Sequence, residues 1–256
     1  MGSVAEHKRY RNIRNNIQSV KGRVTYPDGP FVPVMPVSIV CYGPSLLDTW
    51  QQINPINRIV SVSKAHDFLV EHGITPAIHV EFDCRSHKAK HIRRASAKTL
   101  YYLASCVHPD VIKQTRNYPT YLWHADQRAG QDNDFILNAE PDARLIPGGG
   151  SVGLRAIELL HALGYRHFDI HGMDSSFTDN GRTQWAGPHF GTSKGKRDIL
   201  ETICGGRRFY TSLAFASYAT QFLQCRRALP DATFNLFGDG LLQTMAIEDQ
   251  KLGEAA

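Results

Sequence analysis

Residues 145–177 read LIPGGGSVGLRAIELLHALGYRHFDIHGMDSSF, and this stretch restricts the possible folds more than any other part of the chain. Gly148, Gly149 and Gly150 admit backbone shapes that a Cβ would block. Ser151 stands where a helix N-cap belongs, and the free N–H groups of a first helical turn suit a phosphate. Leu154, Ile157, Leu160 and Leu163 recur at helical spacing, so one face is core. Gly164 is placed as the C′ glycine that stops the helix. A short strand over 167–170 follows and runs out through Gly172-Met173 to Asp174. Loop, helix, strand and terminal acid in this order belong to an open α/β sheet, where ligands sit beyond the carboxyl ends of the strands. A plain turn at the glycines and a helix-capping role for Asp174 are the competing readings.

A second unit of this kind lies near the start. Residues 37–42, VSIVCY, form a continuous apolar run, as a strand buried on both faces requires. Gly43-Pro44-Ser45 follows directly, and a short helix is expected over 46–53 with Ser45 as its cap or as a phosphate ligand. This is the nucleotide-binding position of a Rossmann-like sheet. The turn lacks the GxGxxG spacing, so NAD and FAD are not expected.

Further strands are expected over 58–63, 76–82, 100–105, 120–124, 207–211 and 233–237. Ser63 and Lys64 fall at the end of the second, and Asp83 ends the third as Asp174 ends the later one. Two carboxylates in such positions suit Mg²⁺ held against a phosphate-bearing ligand. His79 lies within its strand and reads as a core residue. Residues 86–97 read as a basic, exposed helix, 125–138 as a polar surface loop or lid, and 212–229 as a helix whose Phe215, Tyr218, Phe222 and Cys225 are core. The Gly-rich segment 178–197 carries His189, Ser193, Lys194 and Lys196. Its length marks it as functional or mobile, and His189 among lysines is a candidate acid–base or phosphate-binding group.

Residues 1–36 read as an appendage, a basic amphipathic helix followed by a Pro-rich connector. Residues 37–248 then form one Rossmann-like domain, with a frayed tail after 248. A net charge of +5 and a pI near 9.0 fit anionic ligands such as nucleotides and permit nucleic acid without requiring it. Five scattered cysteines without a CxxC pair read as reduced thiols of a cytoplasmic protein. No apolar run has the length of a membrane helix. Zinc spacing, a P-loop and a GxSxG elbow are all absent.

IVCYGPSL and GGSVGLRAIELLHALGYRHFDIHGMDSSF together resemble the MptE-like group, formerly described as DUF115. That group includes archaeal 6-hydroxymethylpterin diphosphokinases and flagellin-modifying motility accessory factors. The resemblance spans roughly residues 37–240 and looks like a phage-type single-domain form. The same stretches are similar to those of bacterial single-domain sialyltransferases, in which a histidine of a Gly-His-Ser-Lys-like segment is the general base. His189 in HFGTSK is its counterpart. Where those enzymes hold phosphate with tyrosines, this chain has Ser175, Ser176 and Phe177.

The resemblance implies a mainly parallel α/β sheet with helices on both faces and a nucleotide-dependent transferase. One form passes a diphosphoryl group from ATP to a hydroxymethyl-bearing small molecule. The other passes a sugar from a CMP- or other nucleotide-sugar to a glycan or small-molecule acceptor. A non-catalytic nucleotide- or nucleic-acid-binding module is the third reading. The residues expected to bind nucleotide are Gly43, Pro44, Ser45, Ser63, Gly149, Gly150, Ser151, Gly153, Ser175 and Lys194. Asp83, Asp174 and His189 are the expected catalytic groups, with Mg²⁺ on Asp83 and Asp174. Homo-oligomers remain open.

Overall fold

The computed structural model describes residues 6–29, 35–127, 130–178, 185–187 and 199–254. An eight-stranded, wholly parallel sheet organises them: β1 (Val37–Val40), β2 (Arg58–Val62), β3 (Ile78–Glu81), β4 (Leu100–Ala104), β5 (Thr120–Ala125), β6 (Leu145–Ile146), β7 (His167–His171) and β10 (Thr233–Phe237). A separate antiparallel hairpin joins β8 (Leu200–Cys204) to β9 (Arg207–Thr211). The sheet order is β10-β7-β1-β2-β3-β4-β5-β6. From β1 the chain steps outward strand by strand to β6. It then crosses back over the sheet to place β7 on the other side of β1.

Every residue of β1 is buried, which accounts for its unbroken apolar run. Successive side chains point to opposite faces. Ile39 joins the larger core with Leu154, Ile157 and Phe222, whereas Val40 joins a smaller one with Leu46, Phe68 and Leu69. Helices therefore cover both faces, as the α/β reading requires.

The crossing-back element is α6 (Val152–Ala162), which packs across β6, β3, β2 and β1. Ser151 caps it by accepting the Leu154 N–H at 3.2 Å, and Gly164 (φ +95°) ends it. Arg155 of this helix is buried. It donates to the carbonyls of Gly149, Ile146 and Asp126 at 3.0, 2.9 and 2.9 Å, fastening the glycine loop to the end of β5.

Several local expectations are corrected. Residues 130–139 are a helix, α5 (Gly130–Ala139), instead of an open loop. Its polar composition conceals that it packs on the N-terminal helix α1 (Glu6–Ser19), through Arg9 with Asp132 and an edge-on Tyr10–Phe135 pair. The basic helix expected over 86–97 is a 3₁₀ segment, Ser86–His91, with Lys88 and His91 buried. Asp67 ends it by accepting the N–H groups of Arg93 and Arg94. Ser45 caps nothing, because its hydroxyl is directed elsewhere. The tail is ordered helix in α8 (Leu241–Glu254). The 212–229 expectation becomes α7 (Leu213–Ala228), in which Phe222 and Cys225 are buried but Phe215 and Tyr218 are only partly covered.

No helix among the described residues is long and apolar enough to cross a membrane.

Candidate functional site

β1 and β7 are neighbours in space but leave the sheet centre in opposite topological directions. The crevice beyond their carboxyl ends is the switch point at which open α/β sheets bind ligands. A pocket of about 810 Å³, its open mouth included, lies there. Both glycine-bearing turns reach it: Gly43 and Pro44 from the end of β1, Ser151 and Gly153 from the start of α6. Ser63, Asp174 and Ser175 also line it.

Two glycines make this meeting possible. A Cβ on Gly153 would stand 2.4 Å from Met173 Cε and 2.9 Å from Cys41 Sγ. The first turn of α6 therefore rests directly on the ends of β1 and β7. A Cβ on Gly43 would stand 2.5 Å from both Asp174 Oδ2 and the Gly172 carbonyl. Backbone and a fixed carboxylate leave no room there.

Asp174 holds the first turn in place. Its Oδ2 accepts the Ser45 N–H at 2.8 Å, and its Oδ1 accepts the Ser45 hydroxyl at 2.5 Å and Gln243 Nε2 at 3.4 Å. Burial pushes this carboxyl up, while the Ser45 hydrogen bonds pull it back. It ties the β1 turn to the end of β7 and to α8. Ser45 is buried beneath this contact and does not line the pocket.

Gly149 and Gly150 also stay outside the lining, because they are packing positions against α6 and α7. Gly149 has Leu154 Cδ1 and Gln221 Oε1 at 2.4 and 2.5 Å from an ideal Cβ, and Gly150 donates its N–H to Gln221 at 2.8 Å.

Asp83 faces cations. It bonds Arg85 and lies 3.3 Å from Lys88 Nζ. Burial pushes its carboxyl up, but the Arg85 hydrogen bonds and the two positive charges outweigh that and hold it at about 2. β3 and β7 are three strand steps apart, roughly 14 Å at ~4.8 Å per step. That separation, with both carboxylates already engaged, does not fit a Mg²⁺ ion shared by Asp83 and Asp174. Among the described residues no three His, Cys, Asp or Glu side chains converge as a metal site. His189 and Lys194, with Ser193 and Lys196, lie outside the described residues.

The pocket lining combines polar and aromatic groups. Among the lining residues, Ser63 (φ +52°) and Ser175 (φ +54°) both occupy the left-handed region. For a residue with a side chain this costs about 1–3 kcal/mol and is concentrated at functional sites. Ser63 Oγ accepts from Lys88 Nζ at 2.9 Å and lies 3.5 Å from His91 Nδ1. Lys64 also lines the pocket. Trp185, Phe215 and Tyr218 supply aromatic rings to the lining, with Phe215 centred 6.2 Å from Trp185 and 6.1 Å from Tyr218. The Ala186 N–H donates to the Tyr42 carbonyl at 3.2 Å, which draws residues 185–187 over the pocket. Cys41 supplies no nucleophile. Burial, with the Asp174 charge, pushes its thiol up to about 12, so it stays protonated.

Lys88 and the aromatic wall were not legible as site residues. The basic run around Lys88 has the pattern of a solvated face, and Tyr218 shares its helical spacing with core Phe222. The one available signal for Tyr218 is its place near the start of a helix that follows a strand.

No curated protein matches the sequence. Among solved structures, the MAf glycosyltransferase from Magnetospirillum magneticum AMB-1 superposes with a TM-score of 0.71 at 15% identity. The match covers 94% of this chain and 38% of that one, so the chain corresponds to a minor part of the larger protein and the likeness is one of fold. A family model described as 6-hydroxymethylpterin diphosphokinase MptE-like matches residues 7–180. With more than half of its length matched, the chain belongs to the MptE-like family.

Proposed function

We propose that this protein is a nucleotide-dependent transferase of the MptE-like type, passing a diphosphoryl group from ATP to a hydroxymethyl-bearing small molecule. Family membership supports a transferase-type activity. The observation that carries the finer reading is the pocket at the β1–β7 switch point, whose lining holds hydroxyls, lysines and the aromatic rings of Trp185, Phe215 and Tyr218. Phosphates suit the hydroxyls and lysines, and a planar heterocycle suits the aromatic rings.

In this reaction the acceptor hydroxyl oxygen bonds the β-phosphorus of ATP. The bond from that phosphorus to the oxygen bridging to the α-phosphate breaks, and AMP leaves. The hydroxyl proton passes to solvent or a base, and Mg²⁺ enters with ATP as part of the substrate. Little covalent chemistry falls to the protein, so its contribution is positioning and charge stabilisation. The rigid Gly43 and Gly153 turns fix the ligand's place. Lysine and serine donors meet charge on the transferring group.

A thermal-shift panel of ATP, CTP, CMP, CDP, UDP and GDP, with and without Mg²⁺, tests the donor. ATP at a hundred times its dissociation constant adds about 2.7 kcal/mol of stability. ATP with a 6-hydroxymethylpterin then yields AMP and the diphosphorylated pterin. Stabilisation by cytidine nucleotides alone, with CMP released from a CMP-sugar, would move the assignment to glycosyl transfer. Silence across the whole panel would leave a binding module or an inactive relative.

A further inference from the structure

We propose that Lys88, held between Asp83 and Ser63, is the cation that receives the diphosphate portion of the ligand. This deepens the transferase reading above and rests on it for the identity of the ligand, though not for the anion site itself.

Lys88 lies in the 3₁₀ segment after β3, and only 7% of its side chain is exposed. A lysine this deep requires anionic or polar partners. It has Ser63 Oγ at 2.9 Å and Asp83 Oδ2 at 3.3 Å. An ammonium carries three donors. Two are accounted for, and the third has no partner among the described residues, while the side chain lines the pocket.

The acids close by point the same way. Asp83 is shared with Arg85, which takes both of its carboxylate oxygens. The other acid close by, Glu81, is buried and turned back on its own chain, accepting the N–H groups of Phe82 and Asp83 at 3.0 Å each. Glu81 therefore gives Lys88 no hydrogen bond, and Lys88 shares its paired carboxylate, Asp83, with Arg85. A ligand anion in the pocket supplies the acceptor that Lys88 lacks among the described residues.

Ser63 fixes the direction of the lysine. Its left-handed backbone at the end of β2 places the hydroxyl where it accepts from Lys88 and lies near His91, and both Ser63 and Lys88 line the pocket. Asp83, a catalytic candidate from its place in the sequence, is on this account a positioning residue for Lys88.

Inorganic diphosphate is the probe, titrated calorimetrically into the full chain. The wild type binds it, and Lys88→Met weakens the dissociation constant at least tenfold while adenosine, which lacks phosphate, binds as before. A wild type that ignores diphosphate, or a Lys88→Met variant that binds it equally well, overturns the proposal. If Lys88→Met fails to fold, reductive methylation of the wild type decides. Diphosphate then shields Lys88 from labelling while surface lysines label unchanged, and equal labelling of Lys88 with and without diphosphate overturns the assignment. A wild type that binds diphosphate through Lys88 but no nucleotide would instead overturn the transferase reading and leave the anion site standing.

Discussion

Asp174 shows how far a residue's place can differ from its work. Its position beyond a strand end and its presence at the pocket both follow from the sequence, yet its oxygens are bound to Ser45 and Gln243. Asp174→Ala is therefore expected to lower stability by about 1.5–3 kcal/mol, the range for hydrogen bonds to charged groups, because two buried Ser45 donors lose their acceptor. Urea unfolding reads this as a shifted midpoint at constant slope. A variant of unchanged stability that has lost turnover would make Asp174 a working acid instead. What the sequence conveys at this scale is residue type and distance from a strand end. Gly43, Pro44, Ser63, Ser151, Gly153 and Ser175 were legible on that basis and do line the pocket. Ser45, Gly149, Gly150 and Asp83 carry the same signals, but their contacts lie elsewhere: Asp174 for Ser45, Gln221 for Gly150, and the nearby Arg85 and Lys88 for Asp83. Such pairings leave no periodic trace.

At the scale of elements, strands were the most legible. Continuous apolar runs identify β1, and a strand followed by glycine and a helix identifies the units around β1 and β7. Elements held by polar contacts were harder to see. α5 has little apolar periodicity and is fixed by Asp132 and Phe135 against α1. α1 is itself seated through asparagines: Asn16 Nδ2 donates to the carbonyls of Ser105 and Val107 at 2.9 and 2.7 Å, and Asn12 Nδ2 to that of Cys106 at 3.2 Å. The basic, amphipathic pattern of this helix conceals that role. Asn16→Ala leaves two carbonyls at the end of β4 without these donors, and a loss of about 1–3 kcal/mol is expected. A chemical-denaturation midpoint within error of wild type would show that α1 is only loosely seated.

For the molecule as a whole, the decisive feature is strand order. The outward run β1 to β6 and the return through α6 bring residues 43–44 and 151–153 to one crevice although more than a hundred positions separate them. The α/β class was readable from the alternation of strands and helices, but the order was not, because parallel neighbours are chosen by long-range packing such as the close approach of the Gly153 backbone to the Cys41 and Met173 side chains. Hydrogen–deuterium exchange with and without ATP tests this convergence most directly. Protection in peptides covering 41–46, 61–64, 86–91 and 151–154 together, with none at the β8–β9 hairpin, is the predicted result. Protection confined to one of these segments, or found only elsewhere, would contradict a shared phosphate-ligand site at the β1–β7 crevice.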